Sequence, residues 1–401
     1  MNNKIDCFFM RRTLLTAFVL ALVVTINAQN KPYITKIYDF VPAPGQFINN
    51  TPYVEEPVSK DSILTLVAEC ICGYEKSNGK VVVADALISL GSFGGYVVFG
   101  FDHPVVNVKG EYDMQIFGNA IQSSQHSILG GSSESGIVMV SRDVNGNGVP
   151  DDPWYELAGS EHSHPKTQKN FTITYYKPDD SQFGPLAMNE YHDQYIRWTS
   201  NSVDSIQEGY LRKNYWHTQS YWPSWIEGET MTFVGTKLRG NAQNFSATAD
   251  DWHQYFFDWG YVDNRPDEWY GYKNNPSNIA AEELNKGFKI DWAVDDEGNP
   301  VDLKQIDFVK VYNAMLQDCG WLGETSTEVA GAVDLHPDAV PEPEPCDVNG
   351  DGNVTAADVT AVYNFLLSGD TTFESTSDVN GDNNITSADI TLIYNILLGN
   401  N

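Results

Sequence analysis

The 401-residue chain carries 54 Asp and Glu against 24 Lys and Arg, a net charge of −30 at neutral pH. That balance excludes a nucleic-acid-binding role, which needs a basic face. The length suits one large domain and one small one, and no apolar run is long enough to span a bilayer.

The N-terminus reads as an export signal over residues 1–28. Arg11 and Arg12 precede an apolar core from Leu14 to Ile26, and Ala28 marks a cleavage point. The mature chain then begins near Gln29 and is secreted or held at the cell surface. Export permits disulfides among Cys70, Cys72, Cys319 and Cys346. Cys70 and Cys72 are expected on one face of a strand, so one of them pairs with Cys319, or all stay buried thiols. The spacing offers no zinc motif.

Residues 29–61 read as an irregular, Pro-rich lead-in. From 62 to 335 the pattern is of short strands: Val81–Leu90, Gly95–Phe101, Tyr112–Phe117, Gly136–Ser141, Trp154–Ala158, Phe171–Tyr176, Met231–Val234 and Ile306–Tyr312. They are rich in β-branched and aromatic residues and separated by Gly, Asn, Asp and Pro. This predicts a mainly β chain, an antiparallel β-sandwich of jelly-roll type that binds a ligand.

Three features of this region bear chemistry. In the turn from Asp143 to Asp152, Asp143, Asn145 and Asn147 alternate around Gly146 and Gly148, and Asp151 and Asp152 can close the ring. Those oxygens suit calcium, although an Asn-Gly hairpin turn uses the same residues without an ion. All ten Trp fall between Trp154 and Trp321. Trp216, Trp222, Trp225, Trp252 and Trp259 stand in Ser-, Asn- and Pro-containing sequence, where exposed rings can stack on a sugar or another flat ligand. His162 and His164 share a strand face but lack a third metal ligand. No GxSxG or phosphate loop appears, and the neighbouring acids Glu227 and Glu229 are too close in sequence to imply a glycosidase pair. No catalytic residue is assigned.

Residues 336–345 alternate Pro and Glu, which favours an extended, semi-rigid linker. Beyond it, residues 346–401 hold two near-copies of one twelve-residue loop, Asp347 to Asp358 and Asp378 to Asp389. Oxygen side chains fall at Asp347, Asn349, Asp351, Asn353 and Asp358, then at Asp378, Asn380, Asp382, Asn384 and Asp389. Hard Ca²⁺ takes six to eight oxygens, and a loop supplies them by turning sharply at position 6, held by Gly352 and Asn383. One amphipathic helix follows each loop, with Val359, Val362, Tyr363 and Leu366, and Ile390, Ile393, Tyr394 and Leu397, at helical spacing.

A calcium loop followed by one helix, twice, resembles the type I dockerin. The resemblance implies Ca²⁺ as cofactor and a cohesin-like protein as partner. It departs from the family at Ala356-Ala357 and Ser387-Ala388, where receptor choice is often made, and at Tyr363 and Tyr394, which replace the usual basic residues. The large domain resembles exported cell-surface β-sandwich proteins of gut-type anaerobes through Gly91–Pro104, the turn at Asp143, Trp154–Ser160 and Gly320–Val329. Some of those relatives are associated with cobalamin capture. The expected function is therefore a secreted, calcium-binding, non-catalytic protein, tethered by its tail, whose sandwich binds a glycan in polysaccharide capture or degradation. The alternatives are a glycoside hydrolase and a surface binder of a cobalamin-like nutrient.

Overall fold

The computed structural model describes residues 30–49, 59–73, 75–77, 80–82, 86–123, 125–126, 128–203, 206–247, 250–267, 284–341, 345–350 and 354–398. The segment 1–28 expected to be an export signal, residues 342–344 of the expected linker, Asp351, Gly352 and Asn353 lie outside these.

A six-stranded antiparallel sheet runs in the order Lys36–Val41, Tyr96–Gly100, Phe308–Asn313, Gly136–Ser141, Trp154–Leu157, Ala293–Val294. Alternation along Phe308–Asn313 sorts its faces. Val309 and Val311 point into the main core with Phe40, Val97, Phe99, Val138 and Val140. Lys310 and Tyr312 point to the other side, where the Lys310 ammonium lies 4.2 Å from the Tyr96 ring centroid. A four-stranded antiparallel sheet, Glu208–Asn214, Tyr191–Ser200, Gln168–Tyr176 and Thr230–Lys237, covers that side. Two glycines let it approach. A Cβ on Gly94 would stand 2.3 Å from Phe233 Cβ, and one on Gly235 would stand 2.9 Å from the Tyr312 ring. The Thr236 N–H donates to the Tyr312 hydroxyl at 2.9 Å. The result is the expected antiparallel sandwich, with a second aromatic core of Phe93, Phe171, Tyr175, Trp198 and Phe233. A third sheet, Ala242–Asn244, Trp252–Tyr255, Gly130–Ser132 and Ile121–Gln122, brings in the segments that line a polar pocket.

Two segments differ from the sequence reading. The lead-in is not irregular: Lys36–Val41 is the edge strand of the large sheet, and Ile34, Phe40, Ala43 and Ile48 are fully buried. Its prolines flank the strand rather than interrupt it, so they leave its ladder intact. Cys70 and Cys72 are not on a strand. Lys60–Ile71 is a helix, α1, whose N-cap Ser59 Oγ accepts the Ser62 N–H, and Cys72 is its C-cap. Ile63, Val67, Cys70 and Ile71 fall at helical spacing and enter the main core. Burial of each of the Ile and Val side chains contributes roughly 1.5–3 kcal/mol. Cys70, Cys72, Cys319 and Cys346 are all free thiols, and burial pushes Cys72 and Cys319 up to about 12.

Among the described residues the C-terminal unit has three helices, α2 (Ala356–Ser368), α3 (Glu374–Ser377) and α4 (Ser387–Leu397). Cys346, Val348, Val359, Ala361, Val362, Ile390 and Ile393 form a separate core. The buried stripe is narrower than the sequence implied. Tyr363, Leu366, Tyr394 and Leu397 are exposed, together with Leu367 and Leu398. No described helix is long and apolar enough to cross a membrane.

Candidate functional site

Each tail loop closes on a buried aspartate. The Asp358 carboxylate accepts the N–H groups of Val348 (2.8 Å) and Asn349 (3.1 Å) on Oδ1 and of Thr355 (2.7 Å) on Oδ2. Asp389 accepts from Asn380 (3.2 Å) and Thr386 (2.8 Å). Both side chains are fully buried. Thr355 and Thr386 return the bond by capping α2 and α4, giving two complete capping boxes. Loop position 12 is thus also the third residue of a helix, where the helix dipole favours an anion.

The second loop is described throughout. Asp378 accepts the Asp382 N–H (3.1 Å) and the Asn383 N–H (2.7 Å), Asn380 Oδ1 accepts the Asp382 N–H (2.9 Å), and Asp382 accepts the Asn384 N–H (2.8 Å). Asn383 adopts left-handed backbone at φ 65°, the conformation its position requires. Gly381 and its counterpart Gly350 do so as well, at φ 70°. The sequence reading missed this second left-handed position, although an Asn-Gly pair stands there in both copies. In the first loop Asp347 accepts the Gly350 N–H at 2.8 Å. The donor set is all oxygen. A carboxylate bonded to one or two N–H groups keeps lone pairs for a cation, so the residues present fit calcium and no softer metal.

The hairpin loop between Gly136–Ser141 and Trp154–Leu157 repeats the same bonds. Asp143 accepts the N–H groups of Asn147 (3.0 Å) and Gly148 (2.7 Å), Asn145 Oδ1 accepts the Asn147 N–H (3.0 Å), and Asn147 Oδ1 accepts the Val149 N–H (2.7 Å). Gly146 and Gly148 take the two left-handed positions. Asp151 then accepts from the Asn145 and Asn147 amides, and Asp152 from the Val144 N–H. The loop therefore closes earlier than the tail loops and leads into a strand rather than a helix.

The five tryptophans separate by environment. Trp222 is buried in the aromatic core, and Trp225 packs against the main core. Trp216 is 61 % exposed beside Tyr215, with ring centroids 4.5 Å apart. Trp259 is 45 % exposed against Trp292. Trp252 is half-buried next to Gly320, and the neighbouring Trp321, also exposed, donates its indole N–H to the Asp250 carbonyl at 3.1 Å.

A pocket of about 220 Å³ opens between Phe47, Leu87 and Leu322. Its walls carry Gln46, Asn119, Gln254 and Ser132, and its acids are Glu134 and Glu328. The oxygens of Glu134, Glu328 and Asp263 come within 4.8 Å of one another. Asp263 accepts the N–H groups of Asn119 (2.7 Å) and Glu328 (3.0 Å), and Glu134 accepts that of Ser326 (3.2 Å). With its amide nitrogen turned inward, Asn119 donates to both Asp263 oxygens and to Glu328 Oε2. Burial above all, and then mutual repulsion, pushes Glu134 and Glu328 above the usual carboxylate range, and burial does the same to Asp263. No short-range motif announces this group, because its members lie on three distant segments.

No curated protein matches the chain. Residues 345–398 match the family model of the dockerin type I domain. The chain therefore ends in a dockerin type I domain, a protein–protein tethering module.

Proposed function

We propose that this is an exported, non-catalytic surface protein whose tail binds two calcium ions and docks on a cohesin-like receptor, while its sandwich holds a glycan. Asp347, Asn349, Asp351, Asn353 and Asp358 form the first ion site, and Asp378, Asn380, Asp382, Asn384 and Asp389 the second. Asp143, Asn145, Asn147, Asp151 and Asp152 hold a further ion in the sandwich. The observation that carries the tethering reading is the pair of loop–helix units with matching caps and outward apolar residues. Tyr363, Leu366 and Leu367 on one helix, and Tyr394, Leu397 and Leu398 on the other, leave a greasy surface on a small acidic domain. Ala356, Ala357, Ser387 and Ala388 are exposed at the helix starts and small enough for close approach.

The exposed rings of Trp216 and Trp259 support the glycan reading, since an aromatic face stacks on a sugar ring while neighbouring amides and carboxylates take its hydroxyls. Buried Trp222 and core-packed Trp225 serve the fold instead. Pull-down from a native secretome, with Ala357→Arg/Ala388→Arg as the blocked control, tests the tether. Recovery of the same proteins by both chains counts against it. A glycan array run beside a cobalamin-binding assay tests the sandwich, and binding of cobalamin alone would replace the glycan.

A further inference from the structure

The geometry points to a separate calcium site in the large domain, formed by Glu134, Asp263 and Glu328 at the base of the pocket between Phe47 and Leu322. Three carboxylates converge within 4.8 Å, and none forms an ion pair with a described Lys, Arg or His. Convergence alone can be a chance of folding. The second observation is Glu328 itself: it is 2 % exposed, lines the pocket, and its Oε1 has no hydrogen-bond partner. A buried carboxylate oxygen left without a partner is costly, and a cation removes that cost. The backbone holds the group in place. Glu328 pairs across its strand with Ser89, while two N–H groups fix Asp263.

The chemistry selects the ion. The charged donors are all carboxylate oxygens, with the Gln254 amide and the Ser89 hydroxyl in the same pocket wall, which suits a hard cation. The pocket leaves room for waters to complete the six to eight oxygens that calcium takes. The ion would bring two positive charges to three converging carboxyl groups, favouring their ionised forms, and would offer open positions to hydroxyls of a ligand in the pocket.

The test uses the full chain and calcium alone. Bound calcium per chain is counted by elemental analysis after dialysis at fixed free calcium, for the wild type, for Glu134→Gln/Glu328→Gln and for Asn119→Asp. The expected result is the loss of one equivalent in the double variant, with the helical signal of the tail unchanged. Asn119→Asp adds a carboxylate and should tighten the site several-fold; it does not depend on the double variant folding. An unchanged count in the double variant, or an Asn119→Asp chain that binds no more tightly and only loses stability, overturns the assignment. Neither outcome touches the tail, whose sites are scored by their own variants.

Discussion

Thr386 and Asp389 exchange hydrogen bonds across the start of α4: the Thr386 N–H donates to Asp389 Oδ2 at 2.8 Å, and the Thr386 hydroxyl caps the helix. Asp389 also takes the Asn380 N–H from the other end of the loop. One buried carboxylate therefore joins loop closure to helix initiation, and Asp358 does the same in the first copy. On the proposed calcium reading, ion binding and helix formation are coupled through this side chain.

Asn383 is the weak point of the second loop. Its left-handed backbone costs an L residue roughly 1–2 kcal/mol, somewhat less for Asn, and the first copy has Gly at the same place. Asn383→Gly should tighten calcium in the second loop by a few-fold. Calorimetric titration in an Asp347→Ala background, which weakens the first loop, reads this change. An equal or weaker affinity would show that the side chain of Asn383 contributes more than its backbone costs.

The tryptophans divide into two predicted classes. Trp222→Ala empties a buried site in the aromatic core and should destabilise the large domain by about 3–5 kcal/mol. Trp216→Ala removes an exposed ring and should leave stability within about 0.5 kcal/mol while weakening ligand binding. Urea unfolding followed by near-ultraviolet dichroism, paired with a binding assay on the same samples, checks both. Unchanged binding in Trp216→Ala removes that ring from the ligand site.

Asp113 gives the large domain a pH dependence of known sign. It is fully buried and accepts the N–H groups of Val108 (2.8 Å) and Ile290 (2.6 Å), yet burial pushes it up to about 6. The folded chain thus holds a proton that the unfolded chain releases near pH 4. The contribution is full below about pH 4 and is lost as pH rises through about 6, at most about 3 kcal/mol. The urea midpoint of Asp113→Asn, compared with wild type across that window, should fall less steeply with rising pH. Parallel curves would contradict the assignment.

Legibility in the sequence followed the range of the interactions. The tail loops were readable because their Asp, Asn and Gly residues lie within twelve consecutive positions and the second copy repeats the spacing. The hairpin loop at Asp143 was readable because its polar residues and glycines also lie within one short stretch. The apolar strands Tyr96–Gly100, Gly136–Ser141 and Phe308–Asn313 were readable by composition, whereas Tyr191–Ser200 and Glu208–Asn214, rich in charged and polar residues, were not. Helix α1 was missed because Ile63, Leu64, Leu66, Val67 and Ile71 look equally apolar as a buried strand, and only the Ser59 cap and the spacing of buried positions separate the two. The strand Lys36–Val41 was hidden among prolines. The carboxylate group at Glu134, Asp263 and Glu328 was not legible at all, since tertiary folding alone brings these residues together.

Hydrogen exchange of the full chain, in calcium and in excess chelator, tests the coupling of ion and fold most directly. The account predicts that amides of α2 and α4 lose protection together on chelation, while those of Tyr96–Gly100 and Phe308–Asn313 in the large sheet keep theirs. Unchanged protection of both helices without calcium would contradict it.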